Sequence, residues 1–186
     1  DPFLWTYTCK AKVVAIHQET ADTKTFVLLP NQHFQYAAPG QHIELTLDIN
    51  GEQLSRCYSL SSINQNTVAI TVKHQPEGKV SRYLHERIAV GQVLNISPPR
   101  GGFVYKDQEK LLFITAGSGV TPCYSILQAL QQRKTCPDIA FYYRSQSSEL
   151  FSLSQSSERP GSARPQCPST PKLPSSNQNQ TGLQEC

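Results

Sequence analysis

The chain has 186 residues, of which 38% are hydrophobic and 17% charged, with a formal net charge of +3, 6 Cys and no Met. That length allows one full domain, or one with part of a second; the charge surplus is too small and scattered for nucleic acid as the main partner, and no apolar run approaches the roughly 18 residues of a membrane span. The cysteines Cys9, Cys57, Cys123, Cys136, Cys167 and Cys186 form no CxxC pair and the five His show no metal spacing, so the expectation is a cytoplasmic protein with reduced thiols and no metal, and a start at Asp1 without Met reads as a fragment or processed piece.

From Tyr7 to about Phe103, short apolar runs alternate with turn signals. Ala11 to Ile16, Thr25 to Leu29, His42 to Leu47, Val68 to Val72 and Val93 to Ile96 read as strands. Asn50-Gly51 is the strongest hairpin signal between them, because both positions of a tight type I′ turn require positive φ. Lys79 to Arg87 breaks the pattern: Val80, Tyr83, Leu84 and Ile88 recur at helical spacing. The fold expected for 1–104 is therefore a small antiparallel β-barrel with one short helix. From Lys110 the texture changes to a strand, Leu111 to Thr115, a Gly-rich turn, a helix, Cys123 to Arg133, and a second strand, Ile139 to Tyr143. This is the opening of an α/β nucleotide-binding domain, incomplete over 108–151. Residues 152–186 are rich in Ser, Pro and Gln and read as a disordered tail.

Four motifs lie along this frame. Arg56-Cys57-Tyr58-Ser59-Leu60-Ser61-Ser62 sets a cation, an aromatic ring and hydroxyls close together. Such a group can neutralise a phosphate, stack a flat ring and hydrogen-bond its edge, although an edge strand with a solvent-facing Arg explains the same residues. Gly78-Lys79-Val80-Ser81 opens a helix whose free amides suit an anion, or is simply a capped start. Pro99-Arg100-Gly101-Gly102-Phe103 closes the β region. Gly117-Ser118-Gly119-Val120-Thr121-Pro122 follows a strand and precedes a helix, with Thr121 as the cap and Pro122 as the first helical residue. Arg144-Ser145 offers a cation and a hydroxyl past the second strand, which leans a pyridine-nucleotide donor toward NADPH over NADH.

The order RxYSxxS, GxxS, PxGxF, GxGxxP, on a barrel followed by an α/β start, resembles the ferredoxin-NADP reductase superfamily. The likeness is nearest to the reductase components of bacterial oxygenases and desaturases and covers about Tyr7 to Leu150. The resemblance implies an FAD-dependent NAD(P)H oxidoreductase. Its electrons would go to a ferredoxin-type iron-sulfur domain or protein, on a missing module or partner, that serves an oxygenase or desaturase component. By the same resemblance Arg56 pairs with the FAD pyrophosphate, Tyr58 packs on the isoalloxazine, and Ser59 lies beside flavin N5, which makes Tyr58 and Ser59 the residues at the reacting centre. Cys57 is a small strand residue within that set. Thr71, Val72 and Lys73 form a second contact strand, Lys79, Val80 and Ser81 supply donors to the pyrophosphate, Ser118 lies near the flavin or nicotinamide, and Gly117, Gly119, Thr121 and Pro122 face the pyridine nucleotide. Because only part of a nucleotide domain is present, the alternative is a flavin-binding remnant or regulatory module without turnover.

Overall fold

The computed structural model describes residues 8–133, 137–144 and 150–154. Six strands, β1 (Lys10–Thr20), β2 (Thr23–Pro30), β3 (His42–Ile49), β4 (Glu52–Ile63), β5 (Val68–Lys73) and β6 (Val93–Ile96), close an antiparallel barrel in the order β1-β2-β5-β4-β3-β6. Helix α1 (Lys79–Arg87) stands between β5 and β6 in the chain. The expected barrel and its single helix are both present, and the helix has the bounds that its apolar spacing predicts.

Alternation builds the core. Ile43, Leu45 and Leu47 of β3 point inward with Val13, Phe26, Leu28, Leu60, Ile70 and Val72, while α1 adds Val80 and Leu84. The β3–β4 hairpin turns on Asn50 (φ 56°) and Gly51 (φ 83°), and Ile49 pairs with Glu52 across them. This is the two-residue turn that the sequence signals. Bulges between Val13 and Ala15 in β1 and between Leu60 and Ser62 in β4 bend the strands, which helps a six-stranded sheet close on itself.

The second unit comprises β7 (Lys110–Ala116), a 3-10 turn (Gly117–Gly119), α2 (Val120–Gln131), β8 (Asp138–Arg144) and β9 (Leu150–Ser154). β7 and β8 pair in parallel with Phe113 opposite Phe141, and α2 covers Phe113, Ile139 and Phe141 with Val120, Ile126, Leu127 and Leu130. A third strand, β9, pairs antiparallel with β8 and begins where the sequence suggested that order ends. The expected tail thus starts inside a strand, and 155–186 lie outside the described residues. Helix α2 also begins three residues before Cys123, because the 3-10 turn runs directly into it with Gly119 already in helical conformation.

The two units meet at α2, which packs against β4. Gly40, at φ +94°, sits in the seam: a Cβ there would lie 2.0 Å from the Phe103 carbonyl oxygen and 3.0 Å from Ile126 Cδ1. No larger residue fits without moving the backbone.

Candidate functional site

β4 carries the first motif and is the floor to which the other elements attach. Its register with β3 pairs Arg56 with Leu45 and Tyr58 with Ile43, and both partners are fully buried. Directly paired residues share a face, so Arg56 and Tyr58 leave β4 on one face, whereas Cys57 and Ser59, opposite Glu44 and His42, leave on the other.

Tyr58 is half-buried and packs on the barrel core. Burial raises its phenol above the ordinary value, and the neighbouring Arg56 charge opposes that only in part. The ring therefore stays neutral at physiological pH, with a hydroxyl to donate. Arg56 is exposed, donates to the Ser55 carbonyl at 2.7 Å, and has no carboxylate partner among the described residues. Its remaining donors are open to an anion. Ser59 is half-buried, and Cys57 is an exposed free thiol.

Helix α1 closes on β4 through Lys79, which donates to Glu52 at 2.8 Å. Its N-terminus has neither a side-chain cap nor an acidic residue in the first turn. The amides of Lys79, Val80 and Ser81 thus face no internal anion, and the helix dipole favours an external one. The turn before it is tight: a Cβ on Gly78 would stand 2.5 Å from Ser81 Oγ. That hydroxyl donates to the Gly78 carbonyl and accepts from the Gln75 amide, both at 3.1 Å. Ser81 is itself buried, and its side chain shapes the turn.

In the second strand segment, Thr71 Oγ1 bonds Thr25 Oγ1 at 2.9 Å, Val72 is core, and Lys73 pairs with Asp22 at 3.4 Å. Asp22 is held below the usual carboxylate range, first by the Thr20 hydroxyl and then by Thr23 and Lys73.

On the second unit Gly117, Ser118 and Gly119 are exposed at the C-terminal end of β7. Thr121 does not cap the helix as expected: it is the second helical residue, and its hydroxyl donates back to the Ser118 carbonyl at 2.9 Å. Pro122 falls third in the helix, still within the first turn, where its missing amide costs no hydrogen bond. Arg144 ends β8, and Ser145 lies outside the described residues. Among the thiols, burial pushes Cys123 up to about 11, which leaves it protonated and unreactive.

The structure therefore places Arg56 and Tyr58 on β4 and ties the start of α1 to the same strand through Lys79 and Glu52. It joins Thr71–Lys73 to them through α1, and sets Gly117–Pro122 on a separate unit that reaches β4 through α2. Sequence reasoning gave no role to Ser61, although it lies in the first motif; Ser61 is 5% exposed with a hydroxyl that meets no partner among the described residues. Sequence reasoning also passed over His85, which ties α1 to β5. A lone His in a helical heptad and one more Ser in a serine-rich strand give no signal of either.

The residues fit a dinucleotide: an unpaired guanidinium, uncapped helix amides and a neutral half-buried ring lie along one strand and one helix start. Comparisons with known proteins identify the family. The flavohemoprotein of Pseudomonas aeruginosa is 42% identical over 135 residues, 70% of this chain and 34% of the relative. The glycine betaine monooxygenase reductase subunit of Chromohalobacter salexigens is 35% identical over 148 residues, covering 70% of this chain and 40% of its own. The chain thus spans only about a third to two fifths of these curated relatives. Among solved structures, the flavohem-like FAD/NAD binding domain of nitric oxide dioxygenase from Vibrio cholerae aligns with a TM-score of 0.66 at 29% identity, over 75% of this chain and 63% of that one. Flavohemoglobin from Malassezia yamatoensis, with bound FAD and heme, gives 0.68 at 26% identity over 75% and 39%. The family model described as the oxidoreductase FAD-binding domain matches residues 10–105, more than half of the 186 residues, and the chain belongs to that family.

Proposed function

We propose that the chain is the flavin-binding part of an NAD(P)H-dependent reductase, which passes electrons to an iron-sulfur protein or domain serving an oxygenase or desaturase in the cytoplasm. The observation that carries this is an open Arg56 beside the half-buried Tyr58 on β4, the strand to which Lys79 ties the uncapped start of α1 through Glu52. FAD, when bound, accepts a hydride from NAD(P)H and releases electrons one at a time. The protein's part is positional. Arg56 and the Lys79–Ser81 amides hold the pyrophosphate, Tyr58 supports the flavin ring, and Ser59, which leaves the opposite face of β4, meets the ring where its edge passes the strand. Cys57, Thr71 and Lys73 flank the site, with Val72 in the core behind them. Gly117, Ser118, Gly119, Thr121 and Pro122 let the nicotinamide nucleotide approach the backbone, and Arg144-Ser145 favours the 2′-phosphate of NADPH. None of these roles asks for a strong acid or base, and no carboxylate pair or Ser-His-Asp set is needed.

The likeness to a monooxygenase reductase subunit supports an oxygenase partner. The likeness to flavohemoproteins supports a second reading, in which the acceptor is a haem. Incubation with FAD followed by gel filtration tests the cofactor, and anaerobic addition of NADPH or NADH tests the donor. Retained yellow colour that either donor bleaches is the expected result. Colourless protein overturns the proposal, and a yellow protein indifferent to both donors reduces it to a flavin-binding module.

A further inference from the structure

Helix α1 has only nine residues and no side-chain cap at its start, so its own hydrogen bonds do not fix where its first amides point. Besides the bonds of the Ser81 hydroxyl to Gln75 and Gly78 in the turn before it, three attachments hold it. Val80 and Leu84 are buried in the barrel core, Lys79 pairs with Glu52 in the open, and the C-terminal turn is bound through His85. The exposed ion pair is a weak constraint. The His85 attachment is stronger and more directional. Its Nε2 donates to the Val72 carbonyl at 2.8 Å, and its own carbonyl accepts from Lys24 Nζ, also at 2.8 Å. The ring packs edge-on against the fully buried Phe26 at 6.5 Å and against His74 at 5.5 Å. β5 and β2 thus grip the far end of the helix whose near end presents the Lys79, Val80 and Ser81 amides. The two ends are six residues apart, roughly 9 Å at 1.5 Å per residue, and joined by a rigid helix.

We infer that His85 is a positioning residue for the cofactor's pyrophosphate: by fixing α1 against β5 it sets the direction of the first-turn amides. This rests on the reading of Arg56 and the start of α1 as the pyrophosphate site. His85 does not touch the cofactor. It acts on the phosphate-binding end of the molecule, and the flavin ring, supported by Tyr58 on β4, is outside its reach.

That asymmetry supplies the test. FAD and riboflavin, which has no phosphate, are titrated by fluorescence into the full chain and into His85→Ala and His85→Gln. The expected result is a loss of FAD affinity of about tenfold or more in His85→Ala, riboflavin affinity within about twofold of the parent, and recovery of most of the FAD loss in His85→Gln, whose side-chain amide can donate to the same carbonyl. Unchanged FAD affinity overturns the inference, as does an equal loss for both ligands or a failure of Gln to restore binding. Hydrogen exchange on the flavin-free chain reads the same idea without a cofactor. The Lys79–Ser81 amides should exchange faster in His85→Ala than in the parent while β3 and β4 are unchanged, and equal protection of α1 overturns it. If the parent takes up neither flavin, the functional reading fails and the exchange result alone decides the role of His85. If His85→Ala does not fold, Lys24→Met removes the second tie at the same end, and it must show the same FAD-specific loss at smaller size for the inference to stand.

Discussion

Arg56 and Lys106 carry the same charge and are both exposed, yet their settings differ. Arg56 lies beside Tyr58 on the strand that receives α1, whereas Lys106 sits in the segment between the two units, its amide bonded to the Gln108 side chain. Arg56→Ala is expected to weaken FAD binding by about 1.5 kcal/mol, roughly tenfold, at the low end for a charge-assisted bond because the group is open to solvent. Lys106→Ala should change it by less than about twofold, and equilibrium dialysis of FAD against both variants distinguishes them. Ser61 gives a prediction of opposite sign. Its buried hydroxyl meets no partner among the described residues, so the folded state carries a desolvation cost without a hydrogen bond. Ser61→Ala should stabilise the chain by about 1 kcal/mol without weakening FAD binding, measured as a raised unfolding midpoint in urea. A destabilised variant would show that this hydroxyl is satisfied in solution.

At the scale of elements, alternation and turn chemistry made the barrel strands and the Asn50-Gly51 hairpin readable from sequence, and Val80, Tyr83, Leu84 and Ile88 gave α1 to the residue. What alternation cannot reveal is pairing order: β5 lies between β2 and β4 because of closure, a property of the sheet and not of any one segment. β9 was missed because Leu150 to Ser154 is only five residues long and runs into a Ser- and Pro-rich stretch, so that its pairing with β8 is what defines it as a strand. Arg56 and Tyr58 were legible as site candidates, but His85 was not, because its value lies in the Val72 carbonyl thirteen residues away. The same contact makes a pH prediction. Burial, with the Lys24 and His74 charges, holds His85 below its ordinary value of 6.5, although the Val72 carbonyl and Asp22 pull the other way. A depressed value means that protonation costs the folded state more than the unfolded one. Stability is therefore full above about pH 6.5 and falls as pH drops through the folded value. Asp22, also depressed, adds its loss in a lower window, below its ordinary 3.8. Thermal unfolding from pH 8 to 5 should show a decline below about pH 6.5 that His85→Gln flattens, and parallel curves would remove His85 as its source.

The molecule joins a closed barrel to a sheet of three strands among the described residues, and the two halves are not equally secured. The barrel has no free edge and buries Phe26, Leu28, Ile43, Leu45, Leu60 and Ile70 completely. In the α/β unit α2 covers one face, while on the other Leu112 is 61% and Ile114 76% exposed, in a parallel pairing of the kind usually covered on both sides. The flavin groups belong to the well-held half, and the Gly117–Pro122 turn that would carry the nicotinamide belongs to the other. Hydride transfer requires the two rings in closed register, and a misplacement of about 1 Å costs around a hundredfold in rate. This 186-residue chain is therefore expected to retain FAD but to be reduced slowly by NADPH and by NADH. Stopped-flow mixing of the flavin-loaded chain with each donor measures the rate against a version extended by a complete nucleotide-binding domain. A deficit of about a hundredfold or more fits a loosely held turn, whereas rates within about tenfold of each other would show that α2, packed on β4 and locked at Gly40, holds the turn firmly enough by itself.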